Sequence, residues 1–329
     1  MKKEFLREPP AEFGKGSVPQ GQPKIKGPHK VRRLIIVLSL ILGLGVLAYA
    51  FRGQIGNSSP GKKSTAQEEN SFPTSASDAV TVIQEWNMPK ELTEISGLSY
   101  LDSDRLVCVQ DEIGKIFVYN IKQGKVEKEI PFAAAGDYEG VTVVNKTIWV
   151  LRADGVLFEV NNIDVAQPTV KEFDIPLTAA QDCEGLCYDA DHNRLLVTVK
   201  EKDPNSDAYK GIYAFDLQSL SMAGEPVFKL DVQQDGTAKS GGKKKKNGGI
   251  MPAAIAIHPI SKDMFITDGP KSRLLVTDKT GAIKKLVQLD QKKFPQPEGI
   301  TFNATGDLFI SNEGKGNPGN ILKVVLDTK

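Results

Sequence analysis

The chain has 329 residues, 40% of them apolar and 25% charged, with 42 Lys or Arg against 41 Asp or Glu, so its formal net charge is +1. Fractions this ordinary suit one globular domain of about 250 residues behind a separate N-terminal segment. The charge is uneven: residues 1–33 hold nine Lys or Arg against three Glu, the remainder carries a net of −5, and that balance gives no reason to expect nucleic-acid binding.

In chain order, the basic leader 1–33 is succeeded by residues 34–51, eighteen apolar or small residues without a charge. At about 1.5 Å per residue this run nearly crosses a bilayer, so it is a candidate transmembrane signal-anchor. The positive-inside rule keeps the leader in the cytoplasm and places residues 52–329 in the periplasm or an equivalent extracytoplasmic space. Ala48-Tyr-Ala50 also resembles a signal-peptidase site, so cleavage after Ala50 is the alternative to a retained anchor. Residues 52–78, rich in Ser, Gly, Thr, Asn, Lys and Glu, read as a flexible linker.

From residue 79 to 329 the pattern is strand after strand. Five short apolar strands open on a small residue: Glu94-Ile-Ser-Gly97, Asp137-Tyr-Glu-Gly140, Asp182-Cys-Glu-Gly185, Pro252-Ala-Ala254 and Gln296-Pro-Glu-Gly299. The small residues are 43, 45, 69 and 45 positions apart, and a second and a third strand come after each opening. An all-strand repeat of roughly 40 to 50 residues is the mark of a β-propeller blade. A fourth strand completes four repeats, but the chain ends just after the third strand of the fifth. Ala79-Val-Thr-Val-Ile-Gln-Glu-Trp86 stands where that missing strand belongs. Pairing it into the last repeat closes the ring and removes the exposed edge. The expectation is therefore an all-β, five-bladed β-propeller closed by its N-terminal strand and preceded by a single transmembrane helix. A β-sandwich, the competing architecture, shows turns but not this repeated unit.

Cys183 and Cys187 lie four residues apart on one strand, about 13 Å at strand rise, too far to bridge. With Cys108 they read as small core hydrophobes.

In a propeller blade the start of the first strand and the loop after the second share one face. Glu139, Glu184 and Glu298 therefore meet around one mouth of the channel. The loops after the second strands bring Asp111, Glu112, Asp154, Lys200, Glu201, Lys202, Asp268, Asn312 and Glu313 to that face, and Glu94, Asp137 and Asp182 reinforce it from two residues upstream. Crowded carboxylates repel unless a cation or protons neutralise them, and a set rich in oxygen and poor in nitrogen and sulfur favours calcium. The plainer alternative is that Glu before Gly ends a turn and Gly merely fits a crowded junction.

Asp182-Cys-Glu-Gly-Leu-Cys-Tyr-Asp-Ala190 and Pro295-Gln-Pro-Glu-Gly-Ile-Thr-Phe302, together with Val199-Lys-Glu-Lys-Asp-Pro204 and Ile310-Ser-Asn-Glu313, resemble the SdiA-regulated family of bacterial proteins, distantly similar to NHL-repeat propellers. The resemblance covers residues 80–327. It implies a five-bladed propeller, exported or anchored at the membrane, with a calcium site and no established enzymatic activity. Its Glu positions match at Glu139, Glu184 and Glu298, and in the loops after the second strands at Glu201 and Glu313. Ala253-Ala254 departs from the pattern and leaves one side of the ring without a ligand. A further departure is the insertion from Asp231 to Ile250, whose Lys243 to Lys246 run reads as a solvated loop or as an attractor of anionic partners.

Two functions are therefore expected. One is a calcium-stabilised binding or scaffolding module whose mouth engages a protein or small ligand. The other is a calcium-dependent hydrolase of the lactonase, esterase or phytase-like kind. The second lacks an obvious base, because His192 and His258 fall on the opposite face and His29 in the leader, which leaves a spare carboxylate such as Asp137 or Asp182, with Lys200 or Lys202 as electrophile.

Overall fold

Apolar runs of five to eight residues, cut by Gly, Asn and Asp turns, pair antiparallel with their sequence neighbours in the computed structural model, which describes residues 74–75, 80–165, 167–231 and 249–327. Blade 1 is built from Ile95–Asp102, Arg105–Gln110, Lys115–Asn120 and Lys125–Pro131, and blade 2 from Tyr138–Val144, Thr147–Arg152, Val156–Asn161 and Thr169–Asp174. Blade 3 runs Cys183–Asp189, Arg194–Val199 and Tyr209–Asp216. Its outer position is shared by two short pieces, Ser221–Met222 and Phe228–Asp231, both paired to Tyr209–Asp216.

Blade 4 runs Pro252–Ile257, Met264–Asp268, Arg273–Thr277 and Ile283–Gln288. It gains a short fifth strand, Thr74–Ser75, which adds parallel to Ile283–Gln288. Blade 5 runs Pro297–Phe302, Leu308–Asn312 and Asn320–Leu326, and its outer strand is Val80–Asn87, paired antiparallel to Asn320–Leu326. The closure read from the sequence is thus present.

Each inner strand packs against the inner strand of the next blade, and blade 5 packs against blade 1. Five apolar clusters fill the five blade junctions. Val107, Ile116 and Val118 meet Tyr138, Val150 and Phe158 between blades 1 and 2, and Trp149 and Leu157 meet Leu195, Tyr213 and Phe215 between blades 2 and 3. Leu196 and Ile212 meet Ile255 and Ile266 between blades 3 and 4, Phe265 and Leu274 meet Ile300 and Phe302 between blades 4 and 5, and Trp86 and Phe309 meet Leu98 and Phe117 at the closing junction. Burial of this apolar surface, at about 25 cal/mol per Å², drives the ring together.

All five inner strands carry one extra residue at the same place. The ladder slips between Ile95 and Leu98, Tyr138 and Gly140, Cys183 and Leu186, Pro252 and Ala254, and Pro297 and Gly299. Such a β-bulge re-aims the side chain of the unpaired residue. The glycines beside the bulges sit where neighbouring inner strands touch. A Cβ on Gly140 would lie 2.8 Å from the Glu184 carbonyl oxygen, and one on Gly299 would lie 2.6 Å from the Ser96 carbonyl oxygen. The Gly of each Glu-Gly pair is therefore steric, and the Glu is left to serve another purpose.

The leader, the candidate anchor at 34–51, most of the linker and the Lys243 to Lys246 loop lie outside the described residues. Among the described residues no helix is long and apolar enough to cross a membrane. Cys108, Cys183 and Cys187 are buried free thiols.

Candidate functional site

Glu139, Glu184 and Glu298 occupy the bulges of blades 2, 3 and 5, and the charges of all three bear on one lysine, Lys200. The Lys200 Nζ donates to Glu184 Oε1 at 2.5 Å, with the Glu184 side chain only 2% exposed and that of Lys200 19%. Burial pushes the Glu139 carboxyl well above its usual range, and the charges of Glu184, Glu298 and Asp137 push it further, against the pull of Lys200. Burial likewise lifts Glu184 to about 8, opposed by Lys200 and reinforced by Asp182 and Glu298. Glu298 rises to about 7 through burial, opposed by Lys200 and raised again by Glu313. Burial alone would depress the Lys200 ammonium, but Glu184, Glu298 and Glu139 override it and hold the ammonium above the ordinary lysine value.

Lys200 is placed by its own strand end. Its backbone N–H donates to the Asp182 carbonyl at 3.0 Å, and that of Glu201 donates to the Gln181 carbonyl at 3.0 Å. Beyond them the buried Asp203 accepts from the backbone N–H groups of Asn205 and Gly211, at 2.9 and 2.8 Å, and from the Tyr213 hydroxyl at 3.1 Å. That carboxylate ties the loop after Lys200 to the third strand of blade 3. It belongs to the Val199 to Pro204 motif, although its role is not visible in the sequence.

Two further residues define the mouth. Gln296 donates its side-chain amide to both Glu298 and Glu313, linking the inner strand of blade 5 to the loop after its second strand. Asp182 is half-buried at a positive φ of 54°, and burial raises its carboxyl against the pull of Lys200. Asp137 is exposed at the rim, where its charge bears on Glu139 and Asp182.

Glu94 is half-buried ahead of the blade 1 bulge, where Ser96 takes the place of a glutamate and donates its hydroxyl to the Tyr138 carbonyl at 2.7 Å. Asp111 is half-buried and Glu112 exposed after the second strand of blade 1. Glu201 is exposed, its negative charge bearing on Asp182, and Lys202 lies 3.7 Å from Asp207 with both side chains largely in solvent. Asp154 pairs with Arg152 at 2.7 Å. Asp268 turns away to Arg273 in a buried ion pair at 2.5 Å. His192 and His258 sit in the turns at the far ends of the inner strands, His192 paired with Asp189 and His258 packed on Phe265 and Phe302.

Among the described residues no three carboxylate, imidazole or thiolate groups converge closely enough to hold one ion. The positive charge among the glutamates is the chain's own ammonium. What the cluster offers is a set of carboxyl acceptors beside an ammonium donor, half screened from water.

The ring is similar to the crystal structure of Myxococcus xanthus glutaminyl cyclase, with a TM-score of 0.51 at 14% identity, over 75% of this chain and 96% of that one. It also matches a streptogramin B lyase with a TM-score of 0.47 at 13% identity, over 77% and 100% of the two chains. The PQQ-bound aldose sugar dehydrogenase from Streptomyces coelicolor matches with a TM-score of 0.45 at 12% identity, over 75% and 98%. At such identities the likeness is one of fold alone. The SdiA-regulated family profile matches residues 75–316, which contain all five inner strands and the whole Glu139, Glu184, Glu298 and Lys200 cluster, and the chain belongs to the SdiA-regulated family.

Proposed function

We propose that this chain is a binding module, held outside the cytoplasmic membrane by the 34–51 segment, whose carboxylate-lined mouth engages a polar or cationic group of a protein or small ligand. The observation that carries the reading is the buried Lys200–Glu184 ion pair at the blade 3 bulge, on which the charges of Glu139 and Glu298 also bear. All three thiols are buried, and both described histidines are in the turns of the opposite face. The inner-strand bulges aim charge at the mouth in a fixed geometry, which suits recognition.

One observation favours hydrolysis as a second reading. A carboxyl lifted to about 7, as at Glu298, is matched to general acid–base work near neutral pH. The two readings part in a turnover assay of ester, lactone and phosphoester substrates on the wild type and Glu298→Gln. The binding reading expects no saturable turnover by either protein. Saturable turnover that falls by about 10²-fold or more in Glu298→Gln would replace it with hydrolysis. Protease treatment of intact spheroplasts tests the placement: the propeller is expected to be cleaved from outside, and full protection would put it in the cytoplasm.

A further inference from the structure

Blade 4 departs from its neighbours at the mouth, because its inner-strand bulge carries Ala253 where blades 2, 3 and 5 carry a glutamate. The carboxylate at the end of its second strand, Asp268, is fully buried and accepts on one oxygen from Arg273, at 3.1 Å from Nε and 2.5 Å from Nη2. Arg273, with its side chain only 8% exposed, lines an open cavity of about 690 Å³ between the turn after that strand and the connection to blade 5. Lys271 and Lys292 line it as well, and Asp290 is the one carboxylate in the lining among the described residues. We propose that this cavity is a second binding site, for the phosphate or carboxylate group of a small polyhydroxylated ligand. It is independent of whatever the acidic mouth engages.

The walls are fixed by hydrogen bonds within the blade. Gln288 donates its side-chain amide to the carbonyls of Lys271 and Ser272, each at 3.0 Å, which ties the turn to the fourth strand. The Ser272 carbonyl also accepts from the Leu289 backbone N–H at 2.8 Å, and Lys271 is steadied by donating its ammonium to the Gly249 carbonyl. Across the cavity the Asp290 carboxylate accepts from the Lys292 backbone N–H at 3.0 Å, so it is engaged in its own loop. A guanidinium oriented by a buried carboxylate presents its planar fork in a set direction, which suits two-point contact with phosphate or carboxylate. The volume falls within the range of small-molecule sites and exceeds what an oxyanion alone would fill, so the ligand has a body. Gln288 and Gln291 offer amides to that body, and no aromatic ring lines the cavity among the described residues, a combination that fits hydroxyl groups better than a flat ring. The turn itself keeps the two sites apart: a Cβ on Gly269 would lie 3.7 Å from Glu298 Cγ, whereas Pro270 and Lys271 line the cavity.

The test is isothermal titration of the full chain with glucose 6-phosphate, with glucuronate and, as the uncharged probe, with glucose. Saturable binding of at least one of the two acids is expected, and none of glucose; the tighter acid identifies phosphate or carboxylate as the group held. Lys292→Glu reverses an exposed charge and is expected to weaken that binding about tenfold or more without moving the melting temperature. Lys146→Glu makes the same charge change in an exposed turn of the opposite face and is expected to bind like the wild type. Arg273→Lys, which keeps the charge and loses the fork, is expected to weaken binding as well; should it fail to fold, the comparison of Lys292→Glu with Lys146→Glu decides. The proposal is overturned if neither acid binds saturably, if glucose binds as tightly as the acids, or if Lys292→Glu loses no more affinity than Lys146→Glu.

Discussion

At Glu298 burial and the nearby Glu313 work against ionisation while Lys200 and Gln296 work for it, and burial wins, as it does at Glu184 and Glu139. A carboxyl in the unfolded chain titrates near 4.3. Between that value and about 7 to 8, the folded ring holds protons that the unfolded chain has released, so stability falls as pH rises through this window. Each proton retained across a full pH unit adds about 1.4 kcal/mol to the change. Asp102, Asp216, Asp278 and Asp307, whose carboxyls are lowered by hydrogen bonds, lose their contribution only below the window. Urea midpoints measured from pH 5 to pH 8 are expected to fall, and a Glu184→Gln, Glu298→Gln double variant is expected to flatten the decline. A wild-type midpoint that climbs over the same range would show the glutamates ionised and solvated. The three glutamates are legible in the sequence because Glu-Gly recurs at equivalent openings. Lys200 is harder to single out, since Lys200-Glu201-Lys202 presents three charged side chains in a row and only the strand end decides which one turns inward. Gln296, held between two prolines, reads as turn, and its double hydrogen bond depends on Glu313 from the loop after another strand.

The element that closes the ring is the strand Val80–Asn87, and its two sides differ sharply. Trp86 is buried against Phe309, with ring centroids 6.1 Å apart, and its indole N–H donates to the Ile121 carbonyl of blade 1 at 2.7 Å. Ile83, at the bulge of the same strand, is 53% exposed. Trp86→Ala removes both the packing at the closing junction and a hydrogen bond across it, and should cost about 3–5 kcal/mol. Ile83→Ala on the same strand should stay within about 0.5 kcal/mol. Equal losses in urea unfolding would mean that the strand contributes only its backbone ladder. The closing strand is legible because its apolar residues alternate and a slot stands empty at the other end of the chain. Thr74–Ser75 and the split outer edge of blade 3 are not, since two- and four-residue pairings carry no period to detect. The bulges escape a period-two reading for a related reason: one inserted residue resets the alternation at the point where the side chain of interest sits.

The whole molecule behaves as a ring only if no junction opens before the others. In a linear array each repeat contacts its neighbours alone, and the ends fray first. Here blade 5 contains both the first long strand and the last one, so opening any one junction strains the remaining four. The two tryptophans report on different places. Trp86 lies at the closing junction, and Trp149 lies between blades 2 and 3, packed on Phe173 and Phe215. Variants retaining one tryptophan each, Trp149→Phe and Trp86→Phe, allow fluorescence to track the two junctions separately. A conservative aromatic exchange at either site lowers overall stability somewhat, so each probe is compared with the far-ultraviolet dichroism of the same variant. The expected outcome is coincidence of the two signals in both variants, the signature of a single cooperative transition. A Trp86 fluorescence change that precedes loss of strand signal would show the closing junction opening as a separate unit. The strand supplied from the N-terminal side would then act as a detachable clasp, and closure would not be what holds blades 1 to 4 together.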